Sequence, residues 1–179
     1  MIESARLLLR RWRPEDRAPF AALNASAKVT EFLPKQLTRA ESDDLLDRVE
    51  AHFEKRGFGL FAVERKDTGA CIGWTGLSVP RFEAPFMPAV EIGWRLAEEH
   101  WGHGYATEAA RRVLEFGFGV LDLEEIVSFT VPANLRSQAV MERLGMRRDA
   151  DGDFEHPLLE PGHPLRPHVL YRLRREDFS

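Results

Sequence analysis

Two glycines one residue apart, Gly102 and Gly104, stand between a strand-like stretch that ends at Leu96 and a helix-like stretch that begins at Tyr105. A helix start presents unpaired N–H groups and the positive end of the aligned peptide dipoles. Glycine lets an anion approach that backbone closely and lets the turn adopt positive φ. The chemistry open to this pattern is the holding of a phosphate or diphosphate, although a plain tight turn can carry the same two glycines. A nucleoside-triphosphate loop would follow its last glycine with Lys-Ser or Lys-Thr, where this chain has Tyr105 and Ala106. A dinucleotide loop would place a third glycine at Thr107 and an acid at the end of the next strand, whereas Glu124 and Glu125 precede that strand.

Composition narrows the partners. The chain has 179 residues, within the range of one domain with one core, and shows no repeat, linker or low-complexity stretch, so residues 1–179 read as a single domain. A formal net charge of −4 leaves no broad basic field for a nucleic-acid backbone. No apolar run approaches the ~20 residues that cross a bilayer, and the opening Met1-Ile2-Glu3-Ser4-Ala5-Arg6 lacks the apolar core of a signal peptide. The expected location is the cytoplasm, with neither nucleic acid nor membrane as partner. The single cysteine, Cys71, lies in a strand pattern and reads as packing rather than as a nucleophile. His156, His163 and His168 straddle several prolines without a ligand spacing, which favours loop or acceptor-pocket roles; no metal is expected.

The glycine turn needs a strand before it and a helix after it. Residues 89–96 read as that strand, and Ala109, Val113 and Phe116 share one face of a helix over residues 105–119. Another strand at 125–131 completes the crossover that parallel neighbours require. Upstream, Leu7 and Leu9 alternate in a strand, and Pro14-Glu15-Asp16 opens a helix to about Ala25. Thr38-Arg39-Ala40-Glu41 is a capping box for a helix that Gly57 stops. Residues 59–65 and 71–79 form a hairpin across Asp67-Thr68-Gly69. Residues 80–88 carry three prolines beside Phe82, Phe86 and Met87, a loop of the kind that lies over a binding site. Asn134 caps a helix ended by Gly145, residues 168–173 supply a last strand, and the arginines from Arg172 to Arg175 read as a solvated strand edge. The class is α+β: a mixed central sheet flanked by helices.

Three linked segments carry a family resemblance. Val90-Glu91-Ile92-Gly93-Trp94-Arg95-Leu96, then Trp101-Gly102-His103-Gly104-Tyr105-Ala106-Thr107-Glu108-Ala109, then Asn134-Leu135-Arg136-Ser137 with Leu144-Gly145-Met146, together resemble the GNAT superfamily of N-acetyltransferases. The likeness is closest to the branch that acetylates the N-termini of ribosomal proteins (RimJ/RimL-like) and extends to the opening Arg6-Leu7-Leu8-Leu9-Arg10. It implies acetyl-CoA as cofactor, a sheet splayed at the cofactor strand, and direct transfer to an amine. Backbone N–H groups of Gly102, His103, Gly104, Tyr105, Ala106 and Thr107 would hold the pyrophosphate, and Trp94, Arg95 and Leu96 would pair with the pantetheine arm as an added strand. Trp101 departs from the Gln or Arg frequent at its position; because the contact is main-chain, its expected effect is on packing.

The implied roles follow the needs of the reaction. A lysine amine with pKa near 10.4 has roughly one molecule in 2,500 deprotonated at pH 7, a penalty of about 4.6 kcal/mol, against about 1.4 kcal/mol for an α-amino group near 8. Glu91, in the strand that should meet the thioester, is the candidate base, with an exposed strand carboxylate as the alternative. A free N–H between Ile92 and Trp94 could serve the carbonyl oxygen if the strand is bulged or splayed there. Ser137 is the candidate donor to the departing sulfur; the tyrosine that other members use four residues on is Met141 here. Asn134 is expected both to cap its helix and to touch pantetheine. The acceptor is a peptide N-terminus or a small amine, and a homodimer is compatible with the pattern. The competing reading is a non-catalytic acyl-CoA sensor that keeps the loop without turnover.

Overall fold

The computed structural model describes all 179 residues. The strands are β1 (Ile2–Glu3), β2 (Leu7–Arg10), β3 (Leu60–Arg65), β4 (Cys71–Ser78), β5 (Glu91–Leu96), β6 (Glu125–Thr130), β7 (Arg147–Glu155) and β8 (Pro167–Arg174). They form one sheet in the order β1-β2-β3-β4-β5-β6-β8-β7. All neighbours are antiparallel except β5 and β6, which are joined through a helix. The helices are α1 (Arg17–Ala25), α2 (Arg39–Arg56), α3 (Tyr105–Gly119) and α4 (Leu135–Arg143). No helix is long and apolar enough to cross a membrane.

Local chemistry sets the limits of these elements. Thr38 Oγ1 accepts the N–H of Glu41 at 3.3 Å while Glu41 accepts the N–H of Thr38 at 2.8 Å, so the predicted capping box starts α2. Gly57, at φ 77°, ends it in the left-handed conformation that favours glycine. The apolar stripe of α3 packs Ala109, Ala110, Val113 and Leu114, all fully buried, onto Leu7, Leu9, Leu77 and Ile92 of the sheet. A buried ion cluster pins the start of α1. Arg10 donates to both oxygens of Asp16, at 2.6 and 2.9 Å, and to Glu64 at 2.6 Å, with Arg10 and Asp16 only 5% and 2% exposed. Removing one member would strand a buried charge, a loss of about 3–5 kcal/mol.

Two sequence expectations need correction at the C-terminal side. Residues 147–155, not assigned to any element from sequence, form β7, the edge strand, and β8 lies between β6 and β7. Arg172 and Arg174 therefore lie on an interior strand, with Arg175 just past its end. Arg172 pairs on one side with Glu125 at 2.7 Å and on the other with Asp149 at 2.6 Å. The strand was illegible because Arg-Arg-Asp-Ala-Asp-Gly-Asp-Phe-Glu has almost no apolar alternation and most of its side chains face solvent. Its place comes from pairing with β8, and that register breaks between Asp149 and Phe154.

Candidate active site

The seam between β5 and β6 is the defining irregularity of the sheet. Their only registered pair is Glu91 with Val127, where the N–H of Val127 donates to Val90 O at 2.9 Å. One residue further on, a side chain replaces the ladder: Ser128 Oγ donates to Ile92 O at 2.9 Å. Beyond that point β5 stays paired with β4 and β6 with β8, so the two diverge. Ala97 N–H donates to Ile72 O at 3.0 Å, which fixes the phase of the β4–β5 ladder. By that phase Glu91, Gly93 and Arg95 direct their main-chain groups to β4, whereas Ile92, Trp94 and Leu96 direct theirs into the gap. Of the three residues expected to pair with pantetheine, Trp94 thus directs its main-chain groups to the opening and Leu96 its N–H, the Leu96 carbonyl being taken by Trp101, whereas Arg95 directs its own to β4. The strand is splayed, not bulged, and the N–H of Trp94 is free.

The glycine turn closes the same end of the gap. Gly102 and Gly104 both adopt left-handed conformations, at φ 78° and 80°, and no side chain caps α3. The N–H groups of residues 102–107 find no acceptor in the protein. Nothing lies within 4 Å of where a side chain on Gly102 would project. Six successive free donors at a helix start suit a diphosphate. The turn is held from behind by a clasp that sequence reading missed. Glu108 accepts from Ser4 Oγ at 2.7 Å, from the N–H of Arg6 at 2.9 Å and from Arg6 Nε at 2.7 Å; Arg6 Nη2 donates to His103 O at 3.0 Å. Burial raises the Glu108 pKa, but these bonds outweigh it and hold the carboxyl below its usual value. Trp101 also does more than pack. Its Nε1 donates to Leu96 O at 2.8 Å, and the Arg136 guanidinium lies 4.5 Å over its ring, linking the turn to the start of α4.

Glu91 occupies the last point at which β5 and β6 are still joined, directly across from Ser78. Burial pushes its pKa up to about 8, partly countered by a hydrogen bond from Ser78, and no cation compensates it. It is therefore not an ordinary exposed strand carboxylate. Ser137 is half-buried in the first turn of α4, beyond the C-terminal end of β6, and its hydroxyl has no partner in the protein. Asn134 caps α4 by accepting the Ser137 N–H at 3.3 Å and donates to Thr130 Oγ1 at 3.0 Å. Met141 is buried in the core.

Glu91, the free Trp94 N–H and the glycine turn thus follow one another along β5 and past its end, while Ser137 lies in the helix that follows β6. The acetyltransferase (GNAT) domain profile matches residues 6–147. The chain belongs to the GNAT acetyltransferase family.

Relatives agree with this assignment. The GNAT chain is 26% identical over 179 residues to the N-acetyltransferase YnaD of Bacillus subtilis, covering 99% of each. It is 36% identical over 94 residues to B. subtilis YkkB, a match that takes in 51% of this chain and about half, 54%, of that protein. Among solved structures, an acetyltransferase from Agrobacterium tumefaciens is 29% identical, with a TM-score of 0.77 and coverage of 97% and 93%. The fold is shared with a putative ribosomal-protein-serine acetyltransferase from Vibrio cholerae, at 18% identity, TM-score 0.78 and coverage of 97% and 96%. It is shared too with the V. cholerae spermidine N-acetyltransferase in complex with CoA and spermine, at 19% identity, TM-score 0.75 and coverage of 97% and 98%. GNAT acetyltransferases use acetyl-CoA, and this chain is an acetyl-CoA-dependent acetyltransferase. The free donors of the glycine turn fit the diphosphate of that molecule.

The loop at residues 80–88 folds over the neighbouring edge of the gap. Phe82 and Phe86 pack against Phe129 of β6 and Phe154 of β7, and Phe82 lies 4.5 Å, centroid to centroid, from His156. His156 and His168 come within 5.0 Å in this aromatic cluster, and burial lowers both pKa values. No group of three potential metal ligands is present. Sequence reading could not have paired these segments, because their contacts depend on β7, which it did not assign.

Proposed function

We propose that this enzyme acetylates a primary amine, at a protein N-terminus or on a small molecule, in the manner of the ribosomal-protein N-terminal branch, without a covalent enzyme intermediate. The observation that carries the reading is the single-pair seam between β5 and β6, which leaves the Trp94 N–H unpaired between Glu91 and the glycine turn. The N–H groups of Gly102, His103, Gly104, Tyr105, Ala106 and Thr107 would hold the pyrophosphate of acetyl-CoA, with Trp94 and Leu96 along the pantetheine arm and Asn134 shaping the far wall. Acetyl-CoA supplies an activated acyl group as its thioester. Glu91 takes the proton from the ammonium of the acceptor, directly or through a water, and so restores the lone pair. The Trp94 N–H donates to the carbonyl oxygen on which negative charge develops. The Ser137 hydroxyl donates to the sulfur as it departs.

Direct transfer is favoured by the state of the only thiol. Cys71 is held at a pKa of about 11 by burial, so it is almost wholly protonated and unreactive at neutral pH. The test is release of free thiol from acetyl-CoA across a panel of primary amines and N-terminal peptides, with calorimetry of acetyl-CoA binding beside it. Acetyl-CoA binding and amine-dependent thiol release are expected; tight binding without release by any amine in the panel would refute the reading.

A further inference from the structure

The face of β5 that carries Glu91 also carries an unmatched positive charge. Arg95 lies four residues on, with Gly93 between them on the same face, and the ring of Trp74 covers that glycine at 3.4 Å from where a Cβ would stand. Among protein hydrogen bonds, Arg95 makes one from its side chain: Nη1 donates to Asn24 Oδ1 at 2.6 Å. Asn24 is fully buried, and its amide is oriented by donation to Ser42 Oγ at 3.0 Å, so α1 and α2 together fix where the guanidinium sits. No carboxylate lies within ion-pair distance of Arg95, whereas sixteen of the other twenty arginines have one. Its pKa is lowered by burial alone, with no charged neighbour contributing. The indole N–H of Trp74, whose ring lies 5.3 Å from the guanidinium carbon, is buried and also has no acceptor.

A guanidinium has five N–H donors and cannot shed its charge at working pH, so keeping it in a recess without an anion is costly unless the anion arrives from outside. We infer that the acceptor amine carries a carboxylate several bonds from its nitrogen, and that Arg95 is the residue that selects it. This inference rests on the acetyl-transfer reading above. Glu91, the proposed base, and Arg95 stand about 13 Å apart at their Cα atoms, from four residues at ~3.3 Å each. An acceptor with an ammonium at one end and a carboxylate at the other matches both. A polyamine would set a second positive charge against Arg95.

The test compares 6-aminohexanoate with 6-aminohexanamide and 1,6-diaminohexane, and peptides beginning Ser-Glu with those beginning Ser-Gln, by kcat/KM for thiol release. A charge-assisted hydrogen bond of about 1.5–3 kcal/mol corresponds to about 10–100-fold. The wild-type enzyme should therefore favour the carboxylate over its amide by at least about tenfold and turn over the diamine least. A preference seen only in the peptide arm places the carboxylate on a peptide side chain; one seen in the short amines places it on a small molecule. Arg95→Gln should bring the carboxylate-to-amide ratio to within about twofold while acetyl-CoA affinity by calorimetry stays unchanged, and Arg95→Lys should keep part of the preference. Equal wild-type turnover of acid and amide overturns this inference and leaves acetyl transfer standing. Loss of acetyl-CoA affinity in Arg95→Gln would give the guanidinium to the cofactor and also overturns it. Turnover of none of these amines, nor of the wider panel, would remove the acetyl-transfer reading itself.

Discussion

Replacing Glu91 with glutamine keeps the shape of the side chain and its hydrogen bond with Ser78 but removes the charge. With a pKa pushed up to about 8 by burial, Glu91 is ionised in about one molecule in ten at pH 7 and in about half at pH 8. A base works in the ionised form, while an acceptor of lysine type, near 10.4, still carries its proton. The wild-type kcat/KM should therefore rise about tenfold per pH unit below about 8 and level off above it. In Glu91→Gln the amine must arrive already deprotonated, so the rise should continue toward about 10. The deficit of the variant should be about 10²–10⁴-fold up to pH 8 and shrink above that. Initial rates of thiol release at subsaturating acceptor between pH 6 and 10 measure it. A variant whose profile breaks where the wild type's does, or whose deficit is flat across the range, refutes the assignment. Stability should move the other way. Between the unfolded value near 4.3 and the folded value near 8, the folded state holds a proton that the unfolded chain has released, so the ionised carboxyl costs stability as pH rises through that window and by a constant amount above it. At ~1.36 kcal/mol per unit the ceiling is about 5 kcal/mol, and partial solvent access reduces it. Glu91→Gln should melt several degrees higher than wild type at pH 9 and at the same temperature at pH 4.

Ser137→Ala should lower kcat about 10–100-fold while calorimetry finds acetyl-CoA affinity nearly unchanged, because only the hydroxyl is removed and the cap by Asn134 uses the Ser137 main chain. Gly102→Ala should lose about 1 kcal/mol of stability in denaturant titration from its φ of 78°, and should weaken acetyl-CoA binding beyond that, since its side chain would project into the open space before the turn. Glu108→Gln should cost about 1.5–3 kcal/mol in the same titration, because three donors from Ser4 and Arg6 lose a charged acceptor, and should weaken acetyl-CoA binding as the turn loses its support.

The sequence was most legible where local chemistry decides structure. The capping box at Thr38, the stop at Gly57, the left-handed turn at Gly69 and the full extent of α3 are each set by residues within a few positions of one another. It was least legible where distant segments decide. β7 has no pattern of its own and exists because β8 pairs with it, which also turned the expected solvated edge at Arg172 into an interior strand. The Glu108–Arg6 clasp joins residues 102 apart in sequence, and nothing near either predicts the other. In the site, the glycine turn and the cap at Asn134 were readable from their spacing. The orientation of Glu91, the phase that turns Arg95 away from the gap and the bond from Trp101 to Leu96 depend on ladder register and could be had only from three dimensions.

Because β5 and β6 share one ladder pair, the sheet is really two leaves, one ending at β5 and the other beginning at β6, and something else must keep them from moving apart. That work falls to α3, which lies across both. At Gly117 the helix comes so near that an added methyl carbon would stand 2.7 Å from Ile126 Cδ1 on one leaf and 3.2 Å from Leu77 Cδ1 on the other. The proposed opening for substrate is thus also a join of one ladder pair, and the helix whose first turn carries the free donors is riveted at its last turn to both sides of the fissure.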